Sequence, residues 1–290
     1  KSFRNEIYDL YKANRPPAPE DLRPQFPLTR DATRAFNIAC KEIEGFEADD
    51  IIATLACRAR DAGGRCTIIS SDKDMMQLVG DGVEMLDAMK NKRIDRDGVH
   101  EKFGVGPERV VDVQALAGDS VDNVPGAPGI GIKTAALLIN EYGDLDALLD
   151  RASEIKQPKR RQTLIDNRDQ IEMSKRLVQL DCDMALDFSL EDLEVQDVDP
   201  EALMSFLAEM EFRTLVKRIA SQIGVEAPVI AEAPSASGTP SAADAPEDLP
   251  FDADTYEWVK DRARLEEWAA KAVARGYVAV DTETTGLDDM

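Results

Sequence analysis

Seven acidic residues in the first half of the chain are concentrated in three short strings, each at the predicted end of a helix or strand. They are Glu47, Asp49 and Asp50 in GFEADD, Asp72 and Asp74 in SSDKD, and Asp119 and Asp122 in GDSVDN. Carboxylates this close repel one another and raise one another's pKa unless a cation or a hydrogen-bond donor compensates them. Any fold of this chain must therefore supply positive charge or donors at each string.

Divalent cations are one source of that charge. Oxygen ligands without His or Cys favour hard ions, so the strings predict sites for Mg2+ or Mn2+. Two such ions about 3.5 to 4 Å apart can hold a phosphodiester, one generating hydroxide and the other stabilising the leaving oxygen. The three strings together thus indicate hydrolysis of phosphodiesters.

Each string alone also has a structural interpretation. The acids of the first string would stabilise the positive N-terminus of a helix that begins there, and those of the second would cap a turn after a strand. The third would form one solvated helix face. These interpretations stay open for the single strings, but they do not explain why seven acids gather at element ends.

The net charge of -22 is unusual for a protein that binds nucleic acid. Its distribution removes the difficulty, because residues 181–257 contain 19 acidic and 3 basic residues, whereas residues 1–180 contain 31 and 27. The sequence has no run of about 18 apolar residues, so no membrane span is predicted. The four scattered cysteines and the single histidine argue against a disulfide framework and a zinc site, and favour a cytoplasmic protein.

Hydrophobic periodicity predicts an α/β front part followed by helices. Helices are predicted over residues 2–15, 20–42 and 48–62, and strands at CTIISSDKD and over residues 83–86. Asp72 would lie at the C-terminal end of the first strand, the edge at which open α/β sheets place their chemistry. From Pro107 onward the pattern is helical.

Composition divides the chain further. Residues 1–224 are predicted to form one domain, with an α/β part to residue 106 and a helical part over residues 107–224. Residues 225–253 are rich in Ala, Pro, Ser and acids, which is typical of a flexible acidic linker. Residues 254–290 are predicted to start a second domain, with a strand at 256–259, a helix at 262–275 ended by Gly276, and a strand at YVAVDTET.

The string PGIGIKTA, residues 128–135, has the Gly-x-Gly spacing of a helix-hairpin-helix turn. Gly129 and Gly131 let the backbone approach a phosphate, and the amides that open the next helix point toward it. Such a turn holds the DNA backbone without reading sequence. A nucleotide-binding P-loop is excluded, because Lys133 comes one residue too late after Gly126 and Gly131. A plain helix-turn-helix connector remains an alternative.

Five strings, taken in order, resemble the 5′-nuclease domain of bacterial DNA polymerase I and the first strand of its 3′-5′ exonuclease domain: FRNEIYDLYKANRPP, GFEADDIIATLA, SSDKDMMQL, GDSVDNVPGAPGIGIKTA and VAVDTETTGL. The resemblance, which extends to flap endonucleases, implies a PIN-like α/β nuclease core with a helical arch and a helix-hairpin-helix region. A disordered linker and the truncated start of an RNase H-like exonuclease domain would follow. It also implies a monomer that cleaves DNA at a 5′ flap, nick or RNA primer.

The resemblance implies roles for single residues. Acids equivalent to Glu47, Asp49, Asp50 and Asp72 build one Mg2+ or Mn2+ site, and those equivalent to Asp74, Asp119 and Asp122 build the second. Lys12 and Arg15 match basic arch residues that act at the scissile phosphate. The matched DNA-binding positions are Arg4, Tyr11, Gly129, Gly131, Lys133 and Thr134, with K+ binding at the hairpin turn. For Tyr11, core packing stays open beside base stacking.

Asp281 and Glu283 match the first two metal ligands of the 3′-5′ exonuclease, whose later carboxylates this sequence does not contain. Family members also use aspartates on strands ahead of the arch, so we expect weak or absent catalysis from this chain alone. Two alternatives remain open: a structure-specific DNA-binding module without catalysis, and a PIN-type ribonuclease.

Overall fold

The computed structural model describes residues 2–228 and 257–278, and the chain divides into two units, Lys1–Ile230 and Ala231–Met290. The first unit contains strands β1 (Cys66–Ile69), β2 (Val83–Asp87) and β3 (Lys92–Ile94), and helices α1 (Arg4–Ile7), α2 (Gln25–Ala35), α3 (Ala48–Asp61), α4 (Arg96–Phe103), α5 (Val110–Ala117), α6 (Ile132–Tyr142), α7 (Leu145–Asp150), α8 (Pro158–Asp166), α9 (Arg168–Val178), α10 (Pro200–Glu209) and α11 (Arg213–Ile223). No helix within these described ranges has the length and apolarity needed to cross a membrane.

The three strands form one sheet in the order β1-β2-β3. Strand β1 pairs in parallel with β2, with Cys66 opposite Val83, and β2 pairs antiparallel with β3, with Met85 opposite Ile94. Alternate residues of β2 are buried, which is the period of a strand packed on one face. The two predicted strands and the α/β character of the front part are confirmed, but the first strand ends at Ile69, before Asp72.

Helix α3 confirms the helix predicted over residues 48–62. Its N-cap residue Glu47 has an extended backbone, and its buried face, which includes Ala53 and Ala56, packs against β1 and the 3₁₀ helix Lys73–Leu78. The 3₁₀ helix begins directly after Asp72, whose side chain accepts a hydrogen bond from the Asp74 amide. The first two acidic strings thus lie at the starts of two elements that pack against each other.

The helical part is built around α5, which packs against α6 and α9. Val113 and Leu116 of α5 and Ile171 of α9 are fully buried in one continuous apolar core. A separate apolar cluster joins α10 to α11, including Leu203 and Val216. The predicted helical character after Pro107 is confirmed.

The helices predicted over residues 2–15 and 20–42 are shorter in the structure. The first ends at Ile7, and Lys12 has a left-handed backbone with φ 58°. Long-range hydrogen bonds replace the helical ladder there, because the Lys12 amide donates to the carbonyl oxygen of Asp122 at 2.9 Å. Helix α2 covers residues 25–35 and buries none of its side chains.

A buried ion pair between Arg4 and Asp50 connects the N-terminal segment to the core. The guanidinium donates to both carboxylate oxygens at 2.7 and 2.8 Å, and also to the carbonyl oxygens of Leu177 and Gln179. The amide of Asp181 donates to Asp50 as well, and Arg4 and Asp50 are 1% and 0% exposed. In this placement each group is enclosed and bonded to the other, which favours a structural role for both over the predicted DNA-binding role of Arg4 and metal-binding role of Asp50.

The second unit is described at residues 257–278. Helix α12 (Arg262–Arg275) ends at Gly276, which has φ 87°, and this confirms the helix predicted there. Residues 257–259 form no strand, so the strand predicted at residues 256–259 is wrong in the part that is described. Asp281, Glu283 and the linker predicted at residues 225–253, except its first four residues, lie outside the described residues.

The Asp50→Ala substitution tests the structural role of the buried ion pair. We expect the free energy of unfolding to fall by about 3–5 kcal/mol, because the Arg4 charge is left buried without its partner. Urea denaturation at neutral pH without divalent cations measures the loss. Glu154→Ala is the matched control, since its pair with Arg151 is exposed and screened by solvent. Similar losses in the two variants would contradict the structural role of Asp50.

Candidate carboxylate site

Basic side chains join the three acidic strings in space. The ammonium group of Lys12 lies 2.6 Å from a carboxylate oxygen of Glu47 and 3.5 Å from one of Asp122. That of Lys73 lies 2.6 Å from Asp119. Residues far apart in the chain therefore surround one acidic region, whose metal binding stays a prediction.

Asp119 and Asp122 lie in a tight loop after α5. An antiparallel bridge joins Asp119 to Val124, and one oxygen of Asp119 accepts hydrogen bonds from the amides of Val121 and Asp122. Burial alone would raise the pKa of Asp119, but these bonds and Lys73 lower it below its usual value. The loop therefore holds Asp119 ionised.

Two glycines close this loop against the hairpin that follows. Gly118 and Gly126 have φ of 70° and 60°, and a Cβ added to Gly118 would lie 2.6 Å from the carbonyl oxygen of Val124. A Cβ on Gly126 would collide with the backbone of Gly118. Only glycine permits this contact, which couples the acidic loop to the helix-hairpin-helix turn.

Tyr11 belongs to the carboxylate network and not to an exposed surface. The residue is 5% exposed, and its hydroxyl lies 3.3 Å from both Glu47 and Asp122. Burial and then the charges of these two carboxylates raise the pKa of Tyr11, so the phenol stays protonated and donates. Core packing, the alternative left open for Tyr11, is what the structure has, and the base contact stays a prediction.

The carboxylates of the acidic strings other than Asp50 fall into two groups, those that pair with a basic side chain and those that do not. Lys12 pairs with Glu47, Arg15 with Asp122 and Lys73 with Asp119. Within the described residues, the carboxylates of the second group form no ion pair; these are Asp49, Asp72 and Asp74. Uncompensated negative charge is thus concentrated between the starts of α3 and of the 3₁₀ helix.

The pKa values of two of these groups reflect that concentration. Burial raises the pKa of Asp49 above its usual value, and the charges of Asp72 and Glu47 raise it further. Burial and the charge of Asp72 also raise the pKa of Asp74, to about 6. A proton or a metal cation would relieve the repulsion at either carboxylate.

Gln114 is a site residue that we did not predict from the sequence. Its side-chain amide nitrogen donates to Asp74 at 2.5 Å from α5, and the residue is 2% exposed. The available signal was a single uncharged polar side chain inside the apolar stretch VVDVQALA. Its link to Asp74, 40 positions earlier in the chain, depends on the packing of α5 against the 3₁₀ helix.

The donor set fits a hard divalent cation in its chemistry, since oxygen atoms of carboxylates are the groups present. In the arrangement described for residues 2–228 and 257–278, no three His, Cys, Asp or Glu side chains stand close enough together to hold an ion. Lysine and arginine side chains occupy oxygens of Glu47, Asp119 and Asp122. These three carboxylates are therefore held by protein cations, while Asp49, Asp72 and Asp74 are not, in the part of the chain that the structure describes.

The predicted hairpin turn is present and accessible. Gly129 has φ 77°, Gly131 is the N-cap of α6, and both are exposed with open space where a Cβ would lie. Lys133 is exposed and Thr134 half-buried in the first turn of α6, where amides have no intrahelical acceptor. The geometry leaves room for an anion beside the glycines.

Comparison with known families gives a match over most of the chain. Residues 1–104 match the model described as 5′-3′ exonuclease, N-terminal resolvase-like domain. Residues 105–201 match 5′-3′ exonuclease, C-terminal SAM fold. These two parts correspond to the α/β and helical parts of the fold.

Curated relatives agree with this match. DNA polymerase I of Rhizobium leguminosarum is 46% identical over an alignment that covers 100% of this chain and 34% of the relative. A 5′-3′ exonuclease of Aquifex aeolicus (strain VF5) is 36% identical, with 76% of this chain and 74% of the relative covered. The chain thus spans about a third of the Rhizobium polymerase and most of the Aquifex exonuclease.

A solved structure of the T5 5′-exonuclease with divalent metal ions (zinc) bound has a similar fold. The TM-score is 0.57 at 26% identity, and the similarity covers 62% of this chain and 71% of that chain. From the family models and the curated relatives, this chain belongs to the 5′-3′ exonuclease family that includes the 5′-nuclease domain of DNA polymerase I.

Proposed function

We propose that this chain forms part of a nuclease that cleaves phosphodiester bonds of DNA near a 5′ end, with the acidic region in its catalytic centre. The observation that carries the proposal is the concentration of uncompensated carboxylates at Asp49, Asp72 and Asp74, in an acidic region where Lys12 pairs with Glu47 and Arg15 with Asp122. The unpaired carboxylates would be compensated by a metal cation, and the basic groups of Lys12 and Arg15 would bind a phosphate. A site built only for stability would pair these charges with one another.

The acidic region would hold Mg2+ or Mn2+, as expected for oxygen ligands. The structure of the T5 5′-exonuclease with divalent metal ions bound supports a divalent cation at this site. The carboxylate oxygens of the acidic region favour a hard cation. We assign the ligands to Glu47, Asp49, Asp72, Asp74, Asp119 and Asp122, and we leave out the enclosed Asp50. The metal would activate water and stabilise the leaving oxygen.

Lys12 and Arg15 would bind the scissile phosphate. Both side chains now contact carboxylates, and the guanidinium of Arg15 is half exposed. A divalent cation would compete for the same oxygens, so metal binding would release these basic groups toward a phosphate. We propose that this exchange couples metal binding to substrate binding.

The hairpin turn would hold the duplex next to the acidic region. Gly129, Gly131, Lys133 and Thr134 provide backbone amides and one ammonium group for a phosphate, and K+ is the cation we propose at the turn's carbonyl oxygens. The substrate would be DNA with a 5′ flap, a nick or an RNA primer, bound by a monomer. The contact between Gly118 and Gly126 would set the distance between duplex and cleavage site.

A structure-specific DNA-binding module is the second candidate. It is favoured by the ion pairs that occupy Glu47, Asp119 and Asp122. Such a module would bind flapped DNA equally well with and without Mg2+ and would leave it intact, whereas a nuclease would convert it to shorter products in Mg2+.

The Asp72→Asn substitution tests the catalytic carboxylates in the intact protein. Asn keeps the hydrogen bond that caps the 3₁₀ helix but removes the charge, so we expect cleavage of a 5′-flap substrate to fall by about 10²-fold or more with little change in melting temperature. Single-turnover cleavage in Mg2+ measures the effect. Asp95→Asn is the control, since Asp95 caps α4 in the same way outside the acidic region. Full activity of Asp72→Asn would remove that carboxylate from the site.

The Lys12→Ala substitution tests the role proposed for the basic groups. We expect single-turnover cleavage to fall by about 10²-fold with only a modest loss of duplex affinity, because the ammonium acts on charge that develops at the scissile phosphate. Lys90→Ala is the control, since its exposed ammonium pairs with Asp87 at the end of β2. A proportionate loss of binding and cleavage would show that Lys12 serves only in binding.

The Gly131→Ala substitution tests the hairpin. Apart from the residue itself and its two chain neighbours, no protein atom lies within 4 Å of the added methyl group, and φ is -96°, so the fold should be unaffected. The methyl would occupy the space proposed for a phosphate, so we expect duplex affinity to fall about tenfold at constant salt. Fluorescence anisotropy in Ca2+ measures binding, with Gly80→Ala as control because its Cβ makes only ordinary contact. Equal affinity of both variants would exclude the turn from the interface.

A further inference from the structure

Gln114 is the buried polar side chain whose hydrogen bonding in the core is incomplete. It lies on α5 between Val113 and Ala115, which are both fully buried, and is itself 2% exposed. Its Nε2 donates to Oδ1 of Asp74 at 2.5 Å. Its Oε1 is buried and has no hydrogen-bond partner among the described residues.

The orientation of this amide follows from the charge of Asp74. The opposite orientation would place Oε1 against a carboxylate oxygen, where neither atom can donate. The amide nitrogen therefore faces Asp74 and the amide oxygen is left without a donor, which costs stability in a buried position. A residue selected only to fill the space between α5 and the 3₁₀ helix would incur no such cost.

The rest of Asp74 is also held in place. Its amide donates to Asp72, and its carbonyl oxygen accepts from Nε2 of Gln77. With Oδ1 engaged by Gln114, the second oxygen, Oδ2, accepts no hydrogen bond within the described residues. The negative charges of the Asp72 and Asp119 carboxylates repel that of Asp74.

We propose that Gln114 is a positioning residue that fixes the Asp74 carboxylate through Oδ1 and so leaves Oδ2 available to a divalent cation. The inference rests on the proposed function, because it needs Asp74 as a metal ligand. Without the amide, the carboxylate can rotate about its side-chain bonds, and part of the binding free energy is spent on ordering it.

The test measures Mg2+ binding without DNA in the intact protein, from the dependence of melting temperature on Mg2+ concentration. Gln114→Met keeps the length and volume of the side chain and removes both polar atoms. We expect the half-saturating Mg2+ concentration to rise about tenfold, the order found when such supporting contacts are removed. The melting temperature without Mg2+ should stay the same or rise, because the unpartnered oxygen is gone. Gln114→Leu is the second variant should Gln114→Met fail to fold.

Two controls separate this inference from the proposed function. Gln162→Met removes the same kind of bond, from Gln162 to Asp166 at 2.7 Å, on the exposed face of α8 and should leave Mg2+ binding unchanged. Asp74→Asn should weaken Mg2+ binding at least as much as Gln114→Met.

If Asp74→Asn weakens binding and Gln114→Met does not, the positioning role is overturned and the proposed metal site stands. If Gln114→Met lowers the melting temperature without Mg2+ and leaves the half-saturating concentration unchanged, Gln114 is structural and the inference fails. If Asp74→Asn has no effect on Mg2+ binding, both the assigned ligand and the inference are overturned.

Discussion

Compensation of negative charge is the constraint on which this structure depends. Carboxylates from α3, the 3₁₀ helix and the loop after α5 occupy one region, and their repulsion must be balanced for the fold to close. Lys12 and Lys73 provide part of the balance through short ion pairs with Glu47 and Asp119. The remaining charge is left for a cation from outside the chain, so the same repulsion that opposes folding would favour metal binding.

The acids nevertheless have different roles, which follow from how deeply each side chain is buried. Asp50 is enclosed and bonded on both oxygens by Arg4, so it connects α3 to the N-terminal segment and to the end of α9. Its neighbour Asp49, one residue earlier on the same helix, is half-buried and forms no ion pair within the described residues. Consecutive helix positions point about 100° apart, so one string can supply a structural anchor and a site residue.

The acidic loop and the hairpin turn are placed by the same contact. Gly118 and Gly126 approach so closely that neither accepts a Cβ, and the amide of Ala127 donates to Leu116 of α5. A shift of the hairpin would therefore move the loop that carries Asp119. In the proposed function, this connection transmits the position of the duplex backbone to the carboxylates without a hinge between them.

The sequence by itself determined the α/β and helical parts, the helix at α3, the two strands before and after the 3₁₀ helix, and the presence of the three acidic strings. These depend on local periodicity, capping and charge, which neighbouring residues encode. Only the tertiary structure decided that Arg4 and Asp50 are paired in the core, that Tyr11 is buried, that the first helix stops at Ile7, and that Gln114 contacts Asp74. Each of these depends on partners between 36 and 175 positions away, and no local pattern specifies which distant group will satisfy a buried donor.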